Sequence, residues 1–333
     1  MFILGIESSC DETAAAIVAD GRNVMTNQIR SQIDIHTLYG GVVPEIASRA
    51  HVEAISQLVE EAVEPIGGIE KVDAIAVTNA PGLIGALLVG VNFAKSLAFA
   101  IQKPLIPVHH IRGHVAANYL TFPDLTPPFT ALIVSGGHSH IVNVSDYTQY
   151  QIIGRTRDDA AGECFDKVAR VLGLGYPGGP KIEKAAQTGE PNAIFFPRVH
   201  FKDNEFDFSF SGIKTAVINH VHHCQQVQSH LSIPDVAASF TQAVCEVLVG
   251  NAVKAASAFC KKLVLAGGVA ANKTLRSKLT QACTEQNIDL FVPDFSYCGD
   301  NAAMIASQGY YEFLNGNIAA EDLNAYANQS IEL

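Results

Sequence analysis

Two histidines four positions apart are the residues whose types and spacing best suit metal binding in this chain. His110 and His114 follow a short apolar run and stand in the segment VHHIRGH. On a helix, residues four apart share one face, so both imidazoles could reach one ion. His109 would lie about 100° around such a helix, which favours a packing or supporting role. A His-x-x-x-His pair is common by chance, so a third ligand is needed.

Asp300 is the expected third ligand. It stands in Gly299-Asp300-Asn301, directly before an apolar helix. Two imidazoles and one carboxylate leave coordination positions open, as a catalytic metal site requires. The alternative is that Asp300 only caps the helix, because Asp is a preferred N-cap residue.

Asp11 and Glu12 are the candidate catalytic carboxylates. They occupy a polar turn between the first two predicted strands, where they could act as a general base or organise water and metal. The alternative is ordinary turn composition. A zinc peptidase would place a Glu directly after its first histidine, but Ile111 follows His110, so the general base of that chemistry is missing.

Two glycine turns predict nucleotide binding. The segments LIVSGGH at 132–138 and LAGGVAAN at 265–272 each run from an apolar strand into paired glycines. Glycine lets backbone approach a ligand closely, and a following helix directs free N–H groups towards phosphate. The alternative is that such turns occur in any α/β protein. The chain has no Gly-x-x-x-x-Gly-Lys-Ser/Thr motif, which excludes P-loop chemistry.

The elements that must position these residues form two copies of βββαβαβ. The first copy is predicted at 2–7, 14–19, 24–29, 44–63, 73–78, 83–101 and 105–108. The second is predicted at 129–134, 139–144, 151–154, 163–172, 235–259, 262–266, 272–286, 289–292 and a helix after Gly299, with an insertion at 174–234. This order predicts an α/β fold of the actin/hexokinase/Hsp70 (ASKHA) type, with two lobes around a nucleotide cleft. The proline-rich segment 121–128 suggests the boundary. We expect lobes at 1–120 plus about 300–333, and at 121–299.

Composition limits the function classes. The 333 residues carry a formal net charge of −11, which argues against a protein that binds nucleic acid unaided. Seven scattered cysteines without a Cys-x-x-Cys pair favour reduced thiols. The N-terminus is typical of a buried strand rather than a signal peptide, and no long uninterrupted apolar run is present. We therefore expect a cytoplasmic protein without a membrane span.

Together these residues resemble the TsaD (also called Gcp or YgjD) family, the tRNA N6-adenosine threonylcarbamoyltransferases. The matching stretches run almost end to end: GIESSCDET at 5–13, GVVPE at 41–45, PGL at 81–83, the His110/His114 segment, VSGGH at 134–138, FDK at 165–167, YPGGP at 176–180, FSFSG at 208–212, LAGGVAAN at 265–272 and GDN at 299–301.

The resemblance implies a site in two parts. His110, His114 and Asp300 would hold one divalent ion, Fe²⁺ or Zn²⁺. A second set would bind threonylcarbamoyl-AMP: Ile133, Val134, Ser135, Gly136, Gly137, Asp166, Gly179 and Asn272. The implied reaction transfers the threonylcarbamoyl group to N6 of adenosine 37 in tRNAs that read codons starting with A.

The resemblance also implies partners. These are the tRNA anticodon loop, a paralogous TsaB-like subunit, a TsaE-like ATPase and a TsaC-type enzyme that supplies the intermediate. Two alternatives remain open at this point: a metallo-endopeptidase of the O-sialoglycoprotein endopeptidase type, and a regulatory ATPase of the same fold.

Overall fold

Each half of the chain builds one five-stranded mixed sheet, and the two sheets share one topology. The computed structural model describes all residues, 1–333. In the first sheet the order is β3-β2-β1-β4-β5, with β1 antiparallel to β2 and parallel to β4. Its strands are β1 (Phe2–Glu7), β2 (Glu12–Ala19), β3 (Asn23–Ser31), β4 (Ala74–Ala80) and β5 (Leu105–His109), and the helices of this part are α1 (Ile33–Thr37), α2 (Pro44–Val63), α3 (Ile84–Ile101) and α4 (His110–Thr121).

The second sheet repeats this arrangement. Its order is β10-β9-β6-β7-β8, with β6 antiparallel to β7 and parallel to β9. The strands are β6 (Phe129–Val134), β7 (Ser139–Asp146), β8 (Gln149–Arg155), β9 (Lys262–Ala266) and β10 (Asp289–Phe291). The later helices are α5 (Ala161–Val171), α6 (Gly178–Ala186), α7 (Ser211–Gln226), α8 (Ile233–Phe259), α9 (Lys273–Gln286) and α10 (Ala302–Leu314). The duplicated βββαβαβ order is therefore present.

The chain divides into two units. The first comprises Met1–Pro127, Ser145–Tyr150 and Pro293–Leu333, and the second comprises Pro128–Val144 and Gln151–Val292. The first unit thus includes residues 121–127, 145–150 and 293–299, which the sequence analysis assigned to the second lobe.

Helix α10 packs directly on the sheet of the first unit. Its residues Ala302–Ala306 are fully buried in one apolar cluster with residues of β1, β2 and β5. The approach is close because β1 carries Gly5: a Cβ there would lie 2.2 Å from the carbonyl oxygen of Ala302. Gly309 serves the same purpose from the helix side, where a Cβ would lie 2.4 Å from the Cβ of Ala76. These two glycines allow α10 to lie close to the sheet and thereby influence the position of Asp300, which stands two residues before the helix.

Several local predictions need correction. The insertion at 174–234 contains helices α6 and α7, and α1 was missed because five residues are too few to show helical spacing. A short 3₁₀ helix, Gly268–Ala271, separates the second glycine turn from α9. Strand β4 continues through Ala80 instead of ending at Thr78.

Two helices, α3 and α8, are long and apolar enough to cross a membrane by length and composition alone. In α8, 78% of the apolar window is buried in the protein, as in an ordinary core helix. In α3 only 33% is buried. Ile84 and Leu88 of α3 are 48% and 37% exposed, so this helix presents an apolar face to solvent.

Candidate metal centre and substrate-binding loops

The structure brings His110, His114 and Asp300 together in the first unit. The two histidines lie in the first and second turns of α4, and their ring centroids are 4.6 Å apart. Oδ1 of Asp300 lies 3.5 Å from Nε2 of His110 and 3.3 Å from Nε2 of His114. Three ligand atoms, one from each residue, lie within 4.8 Å of one another. This spacing allows one ion to contact all three.

Asp300 does not cap the helix that follows it. The N-cap of α10 is Asn301, whose side-chain oxygen accepts a hydrogen bond from the Met304 backbone N–H at 3.0 Å. The capping alternative for Asp300 is therefore wrong. Its carboxylate is directed instead at the two imidazoles.

Glu7 contacts the histidine pair, and the sequence alone did not identify it as part of the site. It ends β1, is fully buried, and its Oε2 lies 3.0 Å from Nδ1 of His110. Its carboxylate also accepts hydrogen bonds from the Thr78 hydroxyl and the Ser9 N–H, both at 2.6 Å. When Nε2 binds a metal ion, a carboxylate at this position would hold the remaining ring proton of His110 on Nδ1. The signal in the sequence was an acid at the end of an otherwise apolar strand.

The charges of these groups are strongly interdependent. Burial lowers the pKa of His110, but the carboxylates of Glu7 and Asp300 outweigh it and raise that pKa to about 9. Burial raises the pKa of Asp300, yet His110 and His114 bring it down to about 2. Burial likewise opposes the negative charge of Glu7, and His110 still lowers its pKa. Two buried carboxylates that stay ionised make this pocket attractive to a cation.

The donor set fits a divalent transition metal. Both ring nitrogens of His114 are buried and have no hydrogen-bond partner, because the contact of Nε2 with Asp300 lacks hydrogen-bond geometry. Such orphaned polar atoms are rare in proteins and call for an explanation. An ion held between the two Nε2 atoms and the carboxylate would give Nε2 of His114 a partner. Two imidazoles and one carboxylate suit Fe²⁺ or Zn²⁺.

Asp11 and Glu12 are electrostatically connected to the triad. Asp11 is 8% exposed, and Glu12 begins β2 and accepts a hydrogen bond from the Ser31 hydroxyl at 2.9 Å. Burial and then the negative charges of Asp300 and Asp11 raise the pKa of Glu12 to about 9. Burial and the same two carboxylates also raise the pKa of the neighbouring Cys10 thiol, which argues against a nucleophilic cysteine.

The predicted substrate residues all lie in the second unit, and their loops surround α5. A Cβ on Gly162, at the start of α5, would lie 2.5 Å from the carbonyl oxygen of Ser135, so the first glycine turn packs against this helix. Asp166 of α5 accepts a hydrogen bond from the Gly178 N–H at 2.7 Å and thereby holds the segment that carries Gly179.

Four glycines of these loops could carry a Cβ without a clash. A Cβ added to any of them would meet no atom within 4 Å, and none has a positive φ: Gly136, Gly137, Gly179 and Gly268. Gly267 is different, because its φ is +92° and a Cβ there would lie 2.4 Å from the carbonyl oxygen of Val134. Backbone conformation and packing therefore require glycine at position 267 but not at the other four positions.

The remaining predicted residues lie within or beside the sheet. Ile133 and Val134 are fully buried in β6, which pairs with β7 on one side and with β9 on the other. Asn272 is 8% exposed and caps α9 by accepting a hydrogen bond from the Leu275 N–H at 2.9 Å. Its side-chain oxygen thus fixes the helix that follows the second glycine turn.

Solved structures of low sequence identity share this fold. HypF from T. kodakarensis matches with a TM-score of 0.65 at 16% identity, over 97% of this chain and 49% of that one. Component A of the Acidaminococcus fermentans (R)-2-hydroxyglutaryl-CoA dehydratase matches with a TM-score of 0.54 at 14% identity, over 94% and 98% of the two chains. With the duplicated sheets, these matches define a two-lobe α/β protein of the actin/hexokinase/Hsp70 class.

Sequence comparison gives the family within that class. Residues 23–307 match the model of TsaD, tRNA N6-adenosine threonylcarbamoyltransferase. A Clostridium perfringens protein of that name is 54% identical over 332 residues, which cover 98% of this chain and 97% of the relative. The chain belongs to the TsaD family of tRNA-modifying transferases.

Proposed function

We propose that this protein transfers the threonylcarbamoyl group from threonylcarbamoyl-AMP to N6 of adenosine 37 in tRNAs that read codons starting with A. The observation that carries the proposal is the set of four glycines whose Cα atoms face open space around α5. Such a cradle suits the adenylate part of the donor, because bare backbone can approach phosphate and adenine closely.

The reaction joins a weak nucleophile to an activated carbonyl. The N6 nitrogen of adenosine attacks the carbamoyl carbon, the bond from that carbon to the phosphate oxygen breaks, AMP leaves, and one N6 proton passes to a base. A divalent ion on His110, His114 and Asp300 would supply Lewis-acid polarisation of a donor oxygen. The backbone N–H groups of the glycine turns would stabilise charge on the phosphate.

Proton acceptance is assigned to Asp11. In the metal-free protein, burial and the negative charges of Asp300 and Asp11 raise the pKa of Glu12 to about 9, which suits Glu12 less well than Asp11 to accept a proton. Glu7 would act indirectly, because it orients the imidazole ring of His110 through Nδ1.

The proposal also includes the location of the protein and the partners with which it acts. The acidic chain would act in the cytoplasm with a TsaB-like paralogue and a TsaE-like ATPase, and a TsaC-type enzyme would supply the donor. The exposed apolar face of α3, at Ile84 and Leu88, is the surface we propose for the paralogue. The peptidase alternative is not favoured, since the relatives are transferases and Ile111 replaces the peptidase glutamate.

Gly268→Val tests the donor site directly. The side chain would enter open space, so we expect unchanged thermal stability but at least a tenfold loss of affinity for AMP or a stable threonylcarbamoyl-AMP analogue, measured by calorimetry. Gly250→Val is the matched control, because Gly250 also faces open space but lies in α8. A folded Gly268→Val protein with unchanged affinity would rule out this cradle. Mass spectrometry of adenosine 37 in reconstituted reactions then reports the transfer itself.

A further inference from the structure

The end of the chain is bound along the first unit although it forms no helix or strand. Residues 319–331, which we call the C-terminal strap, follow α10 and return along the sheet. The Ala319 N–H donates to the carbonyl of Leu105 in β5 at 2.8 Å, and the Tyr326 N–H donates to the carbonyl of Asn79 in β4 at 2.9 Å. The strap therefore passes the amino end of β5 and the carboxyl end of β4 before it reaches α4.

The last part of the strap is bound by two side chains of α4 and its N-cap. Nδ1 of His109 accepts from the Ile111 N–H at 3.2 Å, so the ring proton is on Nε2 and donates to the Gln329 carbonyl at 3.1 Å. Nε and Nη2 of Arg112 both donate to the Ile331 carbonyl, at 3.0 and 2.8 Å. Two backbone carbonyls of the strap thus fix the start of the helix.

Arg112 also connects the two helices that supply the metal ligands. Its Nη1 lies 3.0 Å from Oε1 of Glu312, and the residues are 7% and 2% exposed. Glu312 is on α10, the helix that directly follows Asp300, whereas Arg112 lies between His110 and His114 on α4. A buried, bidentate arginine holds its partners in a defined geometry.

We propose that Arg112, Glu312 and the strap residues Gln329 and Ile331 are positioning residues that set the distance between the histidine pair and Asp300. The helix geometry supports this division of roles. His109 and Arg112 are three residues apart and share the face towards the strap, while His110 and His114 share the face towards Asp300. The strap is in this sense part of the metal site, although none of its atoms touches the ligands.

The inference rests on the proposed metal site, and truncation tests it. Removal of residues 329–333 deletes both carbonyls, and we expect the Kd for Zn²⁺ to rise about 10- to 100-fold, the usual effect of losing a group that orients a ligand. Removal of only Glu332 and Leu333, both exposed, is the matched control: Ile331 then ends in a carboxylate that still accepts from Arg112. Zn²⁺ affinity is measured by competition with a chromophoric chelator.

Arg112→Lys provides a second variant in case the truncated chain does not fold. Lysine keeps the positive charge opposite Glu312 but cannot donate two parallel hydrogen bonds to Ile331, so we expect about a tenfold higher Kd for Zn²⁺. A merely structural role would lower the melting temperature of the metal-free protein and leave the Kd unchanged, which would overturn the proposal. A wild-type chain that binds no Zn²⁺ would instead overturn the metal site itself.

Discussion

At the residue scale, the turn between β1 and β2 concentrates negative charge in a buried place. Glu7 and Asp11 are less than a tenth exposed. The pKa of Glu12 is raised, mainly because the residue is buried and also because Asp300 and Asp11 are negatively charged. Without a cation, this arrangement costs stability whenever the acids must ionise.

The pH dependence of the metal-free protein follows from two of these groups. The pKa of Glu12 is about 9 in the folded state against an ordinary value of 4.5, so between these values the folded protein binds the extra proton and stability falls as pH rises. The pKa of His110, raised from 6.5 to about 9, gives stability that is present below pH 6.5 and lost as pH rises through 9.

We therefore expect the melting temperature of chelator-treated protein to fall from pH 6.5 to 9, measured by scanning calorimetry. Glu12→Gln, which cannot ionise, should make that fall shallower. Glu53→Gln, at an exposed position of α2, is the control and should follow the wild-type curve. A Glu12→Gln curve that coincides with wild type would contradict the raised pKa.

At the element scale, the position of Asp300 depends on how closely α10 can approach β1. Gly5 and Gly309 permit that approach, since a Cβ at either would collide with the opposing element. The sequence showed β1, α10 and both glycines, but it could not show that they meet, because they are about 300 positions apart in the chain.

Gly5→Ala tests this packing. The new methyl group would meet the Ala302 backbone at 2.2 Å, so we expect a loss of unfolding free energy of about 1–3 kcal/mol by urea denaturation, together with a higher Kd for Zn²⁺ as α10 is displaced. Gly136→Ala, where the methyl group meets nothing, should leave both values unchanged. Full stability of Gly5→Ala would mean that α10 is not held in this close contact.

At the element scale, prediction from the sequence succeeds where the apolar residues are regularly spaced. Strands and helices with regular apolar spacing, such as β6 and α2, were predicted to the residue or nearly so. The spacing of His110 and His114 likewise predicted a shared helical face. Glu7, Arg112 and Glu312 could not be found in this way, because their roles come from contacts between residues far apart in the chain.

At the scale of the whole molecule, net charge and exposed apolar surface both support the proposal that this chain works with partners. A chain of formal charge −11 lacks the general attraction that tRNA binding requires. We expect the purified chain alone to bind tRNA weakly, with a steep salt dependence, and not to modify it.

The apolar face of α3 gives a specific test of partner binding. Leu88→Asp should weaken association with the TsaB-like subunit at least tenfold in calorimetry, because the added carboxylate would be desolvated in an apolar interface. Val227→Asp is the matched control, at a 55% exposed position of the second unit. If Leu88→Asp binds the TsaB-like subunit as tightly as the wild-type chain does, the interface lies elsewhere on the molecule.

The central claim, that His110, His114 and Asp300 hold a metal needed for threonylcarbamoyl transfer, is tested most directly by Asp300→Asn. The fold should tolerate this change because Asn301 already caps α10, whereas a neutral amide is a poorer metal ligand than a carboxylate. Metal content is measured by plasma mass spectrometry, and adenosine 37 modification by mass spectrometry of tRNA from the reconstituted reaction. We expect a folded protein with little metal and little modification. A folded Asp300→Asn protein with full metal content and full modification would contradict it.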